Sequence, residues 1–329
     1  MKKNGFQTFE KISVSCCNYD LFGMVNQVYA QEKYPTRAVD IYVAFAPGGG
    51  TDSSCRLMAE FLKKKWDVPV NVVNKPGGES IPANLEVYAA KPDGYTVLAD
   101  QEVCSSLLEI SIGDLPLKVM DRTFISVACM APFAFFVPSN SRFMTLKDAI
   151  EGAKKDPGNF TWAKGALGHE WVFRQFFKAA GVDISKTKPV VAKGGTPSVA
   201  LVAGGHVGIG ATPIVTSRGL ARADKIRYLA VARERNPEFP NVSTTAELGY
   251  RDINVSTWVG FSGPPNLPAN IVNTWEKTLR EMVSSAEFLT ALAKIGFSPS
   301  YLDSKGMKEH VNREMKELAE LFGVERKIR

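Results

Sequence analysis

Glycine-rich turns that combine free backbone amides with few charged side chains are the most chemically suggestive feature of this sequence. The first reads Phe45-Ala46-Pro47-Gly48-Gly49-Gly50-Thr51-Asp52 and follows the apolar run 41–45. A strand that ends in glycines just before a helix aims backbone N–H groups and the positive end of the helix dipole at one point, which suits an anion. No Lys-Ser or Lys-Thr follows the glycines and no G-x-G-x-x-G is present, so neither nucleotide-binding motif applies.

A second turn of this kind reads Lys164-Gly165-Ala166-Leu167-Gly168-His169, between a predicted strand at 159–163 and a helix. Other polar positions follow strands: Ser80 after the turn Pro76-Gly77-Gly78, and Gln101 after the strand 95–99. Ligands of open α/β sheets bind beyond the carboxyl ends of the strands. We therefore predict a ligand site that contains residues 45–52, Ser80, Gln101, residues 164–169, and Ala211 and Thr212 at the end of a strand at 207–211.

Several of these side chains have two readings. Lys164 and Gln101 are candidates for direct polar contacts, although Lys164 also fits a solvated surface position. Asp52 is unexpected at an anion site. It either caps the helix and orients the loop amides, or contacts a hydroxyl or amine of the ligand. Aromatic residues would serve either as core or as a stacking surface for an aromatic acid, and these are Phe45, Trp162 and Trp171.

Catalytic and metal-binding signatures are weak throughout the sequence. Gly260-Phe261-Ser262-Gly263 is not G-x-S-x-G, and no Ser/His/Asp set has a hydrolase arrangement. The five cysteines include no C-x-x-C, and the three histidines are far apart. We expect no disulfide framework, no metal site and no cofactor. An α/β enzyme remains a rival interpretation, less favoured than a binding protein.

The elements that must position these turns alternate between strand and helix. From residue 37 the pattern is strand 39–45, helix 51–65, strand 68–73, helix 82–90 and strand 95–99, which predicts a parallel sheet with right-handed crossovers. The apolar stretch 124–137 is long enough to pass into a second α/β unit, and helices are predicted at 269–284, 286–295 and 304–323. We assign residues 34–130 with 253–329 to one lobe and 131–252 to the other, each boundary within about ten residues.

Composition narrows the function further. The 329 residues carry a net charge of +6, but no basic run that would indicate nucleic-acid binding. The mild positive excess favours an anionic ligand. Residues 1–33 differ from the rest: a short basic start is followed by an interrupted apolar stretch and by Val28-Tyr29-Ala30, which suits a signal peptidase. We interpret them as a poor or decayed export signal, a misplaced start or a disordered tail.

At this point the motifs resemble a known family. In order and spacing, the chain from about 34 to 325 resembles the substrate-binding proteins of tripartite tricarboxylate transporters, the Bug receptors. The segments that carry the resemblance are Tyr34-Pro35-Thr36-Arg37, the loop 45–52, Val73-Asn74-Lys75-Pro76-Gly77-Gly78, Lys91-Pro92-Asp93-Gly94-Tyr95-Thr96, Lys193-Gly194-Gly195-Thr196-Pro197, Leu201-Val202-Ala203-Gly204-Gly205-His206-Val207, residues 225–231, 240–249 and 258–261, and Pro264-Pro265-Asn266-Leu267-Pro268.

The resemblance implies a two-lobed periplasmic binding protein of type II, the Venus-flytrap fold, with a central cleft and a hinge. It implies a small carboxylate ligand, aliphatic or aromatic, held through backbone groups and water by the loops 45–52 and 164–169, and delivery to membrane transporter subunits. A monomer is expected. This chain lacks the serine of the family's Gly-x-Gly-Ser pattern in the second loop, and it has Glu79-Ser80-Ile81-Pro82 where a Gly-rich segment is usual. A carboxylate sensor or scavenger that is not exported is the alternative.

Overall fold

The architecture is α/β, and a computed structural model of the chain describes residues 34–192 and 194–324. The predicted leader at 1–33 lies outside these residues. The strands are β1 (Val39–Val43), β2 (Val70–Asn74), β3 (Thr96–Asp100), β4 (Thr123–Pro138), β5 (Thr161–Lys164), β6 (Lys188–Val191), β7 (Gly210–Pro213), β8 (Ile226–Val231), β9 (Ser256–Gly263) and β10 (Ser298–Leu302).

Helices cover the strands and connect most of them. They are α1 (Gly50–Trp66), α2 (Ile81–Tyr88), α3 (Ser106–Ser111), α4 (Leu146–Lys155), α5 (Leu167–Ala180), α6 (Gly195–Ala203), α7 (Ile214–Arg222), α8 (Ala269–Val283), α9 (Ala286–Lys294) and α10 (Ser304–Phe322). The sequence predicted most of these elements to within a few residues, but it missed α3, α7 and β10. None of the described helices is both long enough and apolar enough to cross a membrane.

The first lobe is built on the predicted parallel unit. Strand β1 pairs in parallel with β2 and with β3, so that Ile41 lies between Val72 and Val97. Strand β9 then adds to β3 in the antiparallel direction, and β4 and β10 follow. The carboxyl ends of β1, β2 and β3 therefore lie at one edge of the sheet, which brings the loop 45–52, the turn 75–80 and the turn 100–102 together.

Strand β4 belongs to both lobes. Its first part pairs with β9 as far as Pro132, opposite Ser256. From Phe133 onward it pairs with β7 and β8 instead, ending with Pro138 opposite Ile226. This arrangement gives the two-lobed fold of type II periplasmic binding proteins. We propose that the lobe boundary lies at this change of partners, and the return crossing near residue 253 stays a prediction.

Packing of large apolar side chains holds the helices against the strands. In the first lobe α1 and α8 meet through Trp66 and Trp275, whose ring centroids are 4.7 Å apart in an edge arrangement. In the second lobe α5 packs Phe173 against Trp162, with 4.6 Å between centroids. Burying each such side chain contributes about 1.5–3 kcal/mol. Trp162 and Trp171 are buried in this core, which is the packing role considered for them.

The contact between β4 and β9 depends on a glycine. A Cβ atom on Gly260 would lie 2.3 Å from the carbonyl oxygen of Ser126 on the neighbouring strand. Gly219, in α7, has the opposite surroundings, because no described atom lies within 4 Å of a Cβ built there.

We expect Gly260→Ala to lower the free energy of unfolding by about 3 kcal/mol, because the strands must separate to admit the methyl group. The matched variant Gly219→Ala should raise it by about 0.5–1 kcal/mol, since alanine is the better helix former. Urea denaturation followed by circular dichroism measures both. Equal effects of the two variants would contradict this account of the strand contact.

Candidate functional site

Asp52 organises the loop that joins β1 to α1. Its Oδ2 accepts a hydrogen bond from the Gly48 N–H at 2.9 Å, and its Oδ1 accepts from Arg56 at 2.9 Å and from Asn74 at 2.8 Å. The same Asn74 amide donates to the Phe45 carbonyl at 3.1 Å. Asp52 is only 2% exposed, so its carboxylate interacts with Gly48, Arg56 and Asn74 and not with solvent. It orients a loop amide, as one of its two sequence interpretations supposed, but the helix-capping part of that interpretation is wrong, because no side chain caps α1.

These contacts decide the ionisation of Asp52. Burial opposes the charged form, but hydrogen bonds from Arg56, Gly48 and Asn74 outweigh burial and lower the pKa of Asp52 below its usual value. The carboxylate is therefore ionised and matched near neutral pH, and the cleft side of the loop presents backbone amides.

A buried ion pair holds the turn after β3. Arg122 and Asp100 are both fully buried, with Arg122 Nη2 3.2 Å from Asp100 Oδ2. The other carboxylate oxygen, Asp100 Oδ1, accepts from the Gln101 N–H at 2.9 Å and from the Ser105 hydroxyl at 2.7 Å. Removing one partner of a buried pair is strongly destabilising, so this turn is rigid. Neither Arg122 nor Asp100 was among the predicted site residues.

Gln101 connects this turn to the first loop. The hydroxyls of Thr51, in the first turn of α1, and of Thr257, on β9, each donate to Gln101 Oε1 at 3.1 Å. Within residues 34–192 and 194–324, no acceptor takes a hydrogen bond from Gln101 Nε2. The amide nitrogen is thus a spare donor beside the N-terminus of α1.

Ser80 lies next to the turn that follows β3, and its hydroxyl already donates a hydrogen bond within the protein. It donates to the Val103 carbonyl at 3.1 Å, and Ser80 is 3% exposed. Residues 77–80 all have positive φ, including 49° at Glu79 and 70° at Ser80. Each non-glycine residue held there costs about 1–3 kcal/mol. The strained turn brings Ser80 to the wall of the site, where the structure uses it for positioning.

The second predicted loop leads from β5 into α5. Lys164 Nζ lies 2.8 Å from Glu170 Oε2, and Arg174 contacts the other oxygen of Glu170 at 2.7 Å. Lys164 is 39% exposed and engaged by this carboxylate. The ammonium has three N–H donors and this pair uses one of them, so the direct ligand contact considered for Lys164 stays a prediction.

His169 fills the space behind this loop. It is 5% exposed, and burial lowers its pKa to about 4, so the ring is neutral. Nδ1 lies 3.2 Å from the Ala166 carbonyl, which assigns the proton to Nδ1, and Nε2 is buried without a partner among the described residues. A Cβ on Gly165 would lie 2.8 Å from the ring, so the imidazole requires that glycine.

Ala211 and Thr212 lie in β7 immediately before α7. Ala211 pairs with Phe135 of β4, and both Ala211 and Thr212 are fully buried. The Thr212 hydroxyl is 3.2 Å from the Pro213 carbonyl. These residues therefore fix where α7 starts.

The helix starts on the two lobes touch one another. A Cβ on Gly50, at the start of α1, would lie 2.8 Å from Val215 of α7. On the other side, a Cβ on Gly168, at the start of α5, would lie 3.8 Å from Glu102 Oε1 of the first lobe. Each predicted loop therefore has a neighbour in the other part of the fold, Val215 beside Gly50 and Glu102 beside Gly168, and a shared cleft between the loops stays a prediction.

Helix starts within the second lobe also meet. A Cβ on Gly195, the first residue of α6, would lie 3.0 Å from Thr216 of α7 and 3.7 Å from His169 Nε2 of α5. The N-termini of α1, α7, α6 and α5 therefore form a chain of neighbours that Glu102, Thr257 and Gln101 close back to Thr51.

Among the described helices, side chains cap the N-termini of α4, α9 and α10, and these four helices are among the seven that have no such cap. Their N-cap residues are Gly49, Ala166, Gly194 and Pro213, and no side chain caps any of them. By contrast, α4 has a Thr145–Asp148 capping box and α10 is capped by Asp303. First-turn amides without a cap need another acceptor, which water or a ligand can supply.

Two buried acids lie behind Gln101. Glu102 Oε2 is 3.0 Å from the Thr257 hydroxyl and 3.3 Å from the Trp258 N–H. Burial, aided by the negative charge of Glu314, raises the pKa of Glu102 to about 8. Burial likewise raises the pKa of Glu314 to about 7, and that side chain accepts from the Ser106 hydroxyl and the Trp258 indole. Sequence reasoning missed both, since their partners are distant in the chain.

Comparison with known proteins agrees with this geometry. The model of the tripartite tricarboxylate transporter family receptor, TctC, matches residues 54–323. The chain belongs to this receptor family. BugT of Bordetella pertussis is 27% identical over 273 residues, which cover 82% of this chain and 83% of that protein. The resemblance to Bug receptors is confirmed.

Solved structures share the fold. Rpa4515 of R. palustris, solved with adipate, has a TM-score of 0.80 at 24% identity, over 88% of this chain and 99% of its own. MatC (Rpa3494) of Rhodopseudomonas palustris, solved with bound malate, has a TM-score of 0.77 at 21% identity, over 88% of this chain and 99% of its own. The family and these neighbours are binding proteins rather than enzymes.

Replacing the loop's organising carboxylate tests its role. We expect Asp52→Asn to lower the free energy of unfolding at pH 7 by about 2 kcal/mol, because charged hydrogen bonds are replaced by neutral ones. Since the pKa of Asp52 is lowered on folding, its contribution is present above the unfolded value of 3.8 and is lost as pH falls through the folded value. The difference from wild type should therefore shrink below about pH 4. Denaturation curves at a series of pH values measure this.

The matched control is Asp148→Asn, which alters a helix cap on α4 outside the cleft. Its carboxylate accepts from the N–H groups of Met144 and Thr145. Asp148→Asn should reduce stability without changing ligand affinity, whereas Asp52→Asn should reduce both. If the two variants bind ligand equally well, Asp52 does not organise the binding loop.

Proposed function

We propose that this protein is an extracytoplasmic solute receptor that binds a small carboxylate between its lobes and delivers it to a tripartite tricarboxylate-type transporter in the membrane. The observation that supports the proposal is the chain of four neighbouring helix N-termini without capping side chains, those of α1, α7, α6 and α5. Backbone amides and dipoles arranged in this way favour an anion, and they supply no nucleophile or general base. Two structural neighbours were solved with malate and with adipate, which supports a carboxylate ligand.

Hydrogen bonds from these donors are strong enough to give a receptor micromolar affinity for its ligand. A hydrogen bond to a charged group contributes about 1.5–3 kcal/mol. Three or four of them leave micromolar binding after the cost of ordering the ligand is subtracted. The spare Nε2 of Gln101 adds a side-chain donor to the amides. The net charge of +6 adds long-range attraction for anions.

Thermal denaturation in the presence of single compounds tests the ligand class. A ligand that binds only the folded state at 100 times its Kd adds about 2.7 kcal/mol. We expect at least one of malate, adipate, citrate and benzoate to raise Tm, and the uncharged adipamide to have no effect. The proposal fails if no carboxylate raises Tm while an uncharged or cationic compound does.

Gly49 offers a test that separates binding from folding. Its φ is −71°, and the nearest described atom to a Cβ built there is the Ala46 carbonyl oxygen at 3.4 Å. The fold thus has room for a side chain, which would occupy space beside the amides. We expect Gly49→Ala to weaken carboxylate binding and Gly49→Val to abolish it, with Tm of the free protein nearly unchanged. Undiminished binding by Gly49→Val in calorimetric titration would place the ligand elsewhere.

The predicted periplasmic location can be tested on protein isolated from the organism that produces it. We expect the mature chain in the periplasmic fraction to begin near Gln31, after Val28-Tyr29-Ala30. N-terminal sequencing of fractionated protein measures this. An intact N-terminus found in the cytosolic fraction would instead support the sensor or scavenger interpretation.

A further inference from the structure

Thr257 has one hydroxyl hydrogen and lies beside two oxygen atoms that could each accept it. Its Oγ1 is 3.1 Å from Gln101 Oε1 and 3.0 Å from Glu102 Oε2. One hydrogen serves only one acceptor at full strength. Two oxygens about 3 Å apart with no hydrogen between them repel, so one of these neighbours must itself supply a hydrogen.

Two arrangements resolve the conflict, and they differ by one proton. In the first, Glu102 is protonated and donates to Thr257, and Thr257 donates to Gln101 Oε1. In the second, Glu102 is ionised and accepts from Thr257, which must then accept from Gln101, so the amide turns by 180° and places Nε2 against the threonines. Amide orientation follows the hydrogen-bond network in this way, because O and N are nearly equal in shape.

The orientation of the Gln101 amide decides what an anion meets. With Oε1 held by Thr51 and Thr257, the Nε2 group points away from them as a donor, and none of the described residues accepts from it. In the turned amide the carbonyl oxygen takes that place and repels a carboxylate. An ionised Glu102 adds repulsion of its own, since like charges interact strongly where water is excluded.

We propose that Glu102 and Thr257 are positioning residues for the anion site: a proton on Glu102 sets the Gln101 amide to donate, so that carboxylate binding takes up one proton. This inference rests on the proposed carboxylate-binding function, and it adds that binding is coupled to the uptake of one proton. Burial raises the pKa of Glu102 to about 8, which puts the exchange in a measurable range.

Other groups near Glu102 could titrate in its place. The charged and titratable groups on the same turn and on neighbouring elements include Glu79, Asp100, Cys104, Glu109, Arg122, Lys164, His169, Glu170, Arg174, Lys178, Arg233, His310, Arg313, Glu314 and Glu317. Asp100 is paired with Arg122, and Glu170 with Lys164 and Arg174. His169 and His310 both have a pKa of about 4, because they are buried.

Glu314 is therefore the main competitor. It acts on Glu102 through its charge, and His310 Nε2 lies 3.7 Å from Glu314 Oε1. None of the described lysines or arginines forms an ion pair with Glu102. A variant that removes each acid separately distinguishes the two.

Calorimetric titration of the full chain with malate, adipate and benzoate, each in buffers of different ionisation enthalpy, measures the protons taken up. These probes are fully ionised above pH 6.5, so any uptake belongs to the protein. For wild type we expect uptake of more than half a proton at pH 8.5 and little at pH 6.5. Kd should be constant below about pH 7 and should rise toward tenfold per pH unit above pH 8.

Two glutamine variants assign the proton. Glu102→Gln should remove the uptake and make Kd independent of pH between 7 and 9. Glu314→Gln should keep the uptake but move its onset to lower pH, because a nearby negative charge is lost. Uptake that persists in Glu102→Gln, or that disappears in Glu314→Gln, overturns the assignment to Glu102.

Thr257→Val tests the link between the acid and the amide. It keeps Glu102 but cannot pass a hydrogen to Gln101, so we expect Kd at pH 7 to rise about fivefold and the uptake at pH 8.5 to fall to less than half of the wild-type value. Wild-type uptake in this variant would overturn the role of Thr257.

The possible results distinguish failure of the proton linkage from failure of the proposed carboxylate-binding function. Binding of a probe with no uptake and no dependence of Kd on pH overturns the proton linkage alone. Absence of binding by all three probes at every pH from 6 to 9 counts against the carboxylate receptor as well, and removes the linkage with it.

Discussion

Backbone amides at helix starts must find acceptors, and this requirement shapes the whole cleft. The first-turn N–H groups of α1, α5, α6 and α7 have no intrahelical partner and no capping side chain. Three other described helices meet the same need with a side chain, at Thr145, Ser285 and Asp303. The fold uses side chains to point the uncapped amides and to keep other charges neutralised around them: Asp52 is paired with Arg56, and Asp100 with Arg122.

The structural features that depend on residues close together in the sequence could be predicted. A strand, a glycine turn and a helix at 39–66 follow from local pattern, and the second such unit at 161–180 follows in the same way. The fold class also followed, because alternating strands and helices favour a parallel sheet. The grouping of the loops 45–52 and 164–169 in one predicted site followed from the rule that ligands bind beyond the carboxyl ends of strands, and the resemblance to the Bug receptors implied the same two loops.

Long-range contacts account for what the sequence did not reveal. Gln101 and Glu102 meet Thr257 across 156 and 155 residues, and no local pattern encodes such a pairing. Helix α7 begins Ile214-Val215-Thr216, and three β-branched residues resemble a strand unless their packing is known. Lys164 shows the same limit at short range: a basic side chain beside an anion loop suggests a ligand contact, and its ion pair with Glu170, six residues later, was not foreseen from the sequence.

Strand β4 has an effect on energetics that goes beyond connecting the lobes. Two bodies that close on a ligand lose translational and rotational freedom, and that loss is subtracted from the affinity. Here one 16-residue strand carries ladders to β9 on one side of Pro132 and to β7 and β8 on the other. The two parts of the fold are therefore already joined through one continuous strand before any ligand arrives. The free energy of each contact between an amide and the solute can then contribute to binding affinity, because little of it is needed to bring the two lobes together.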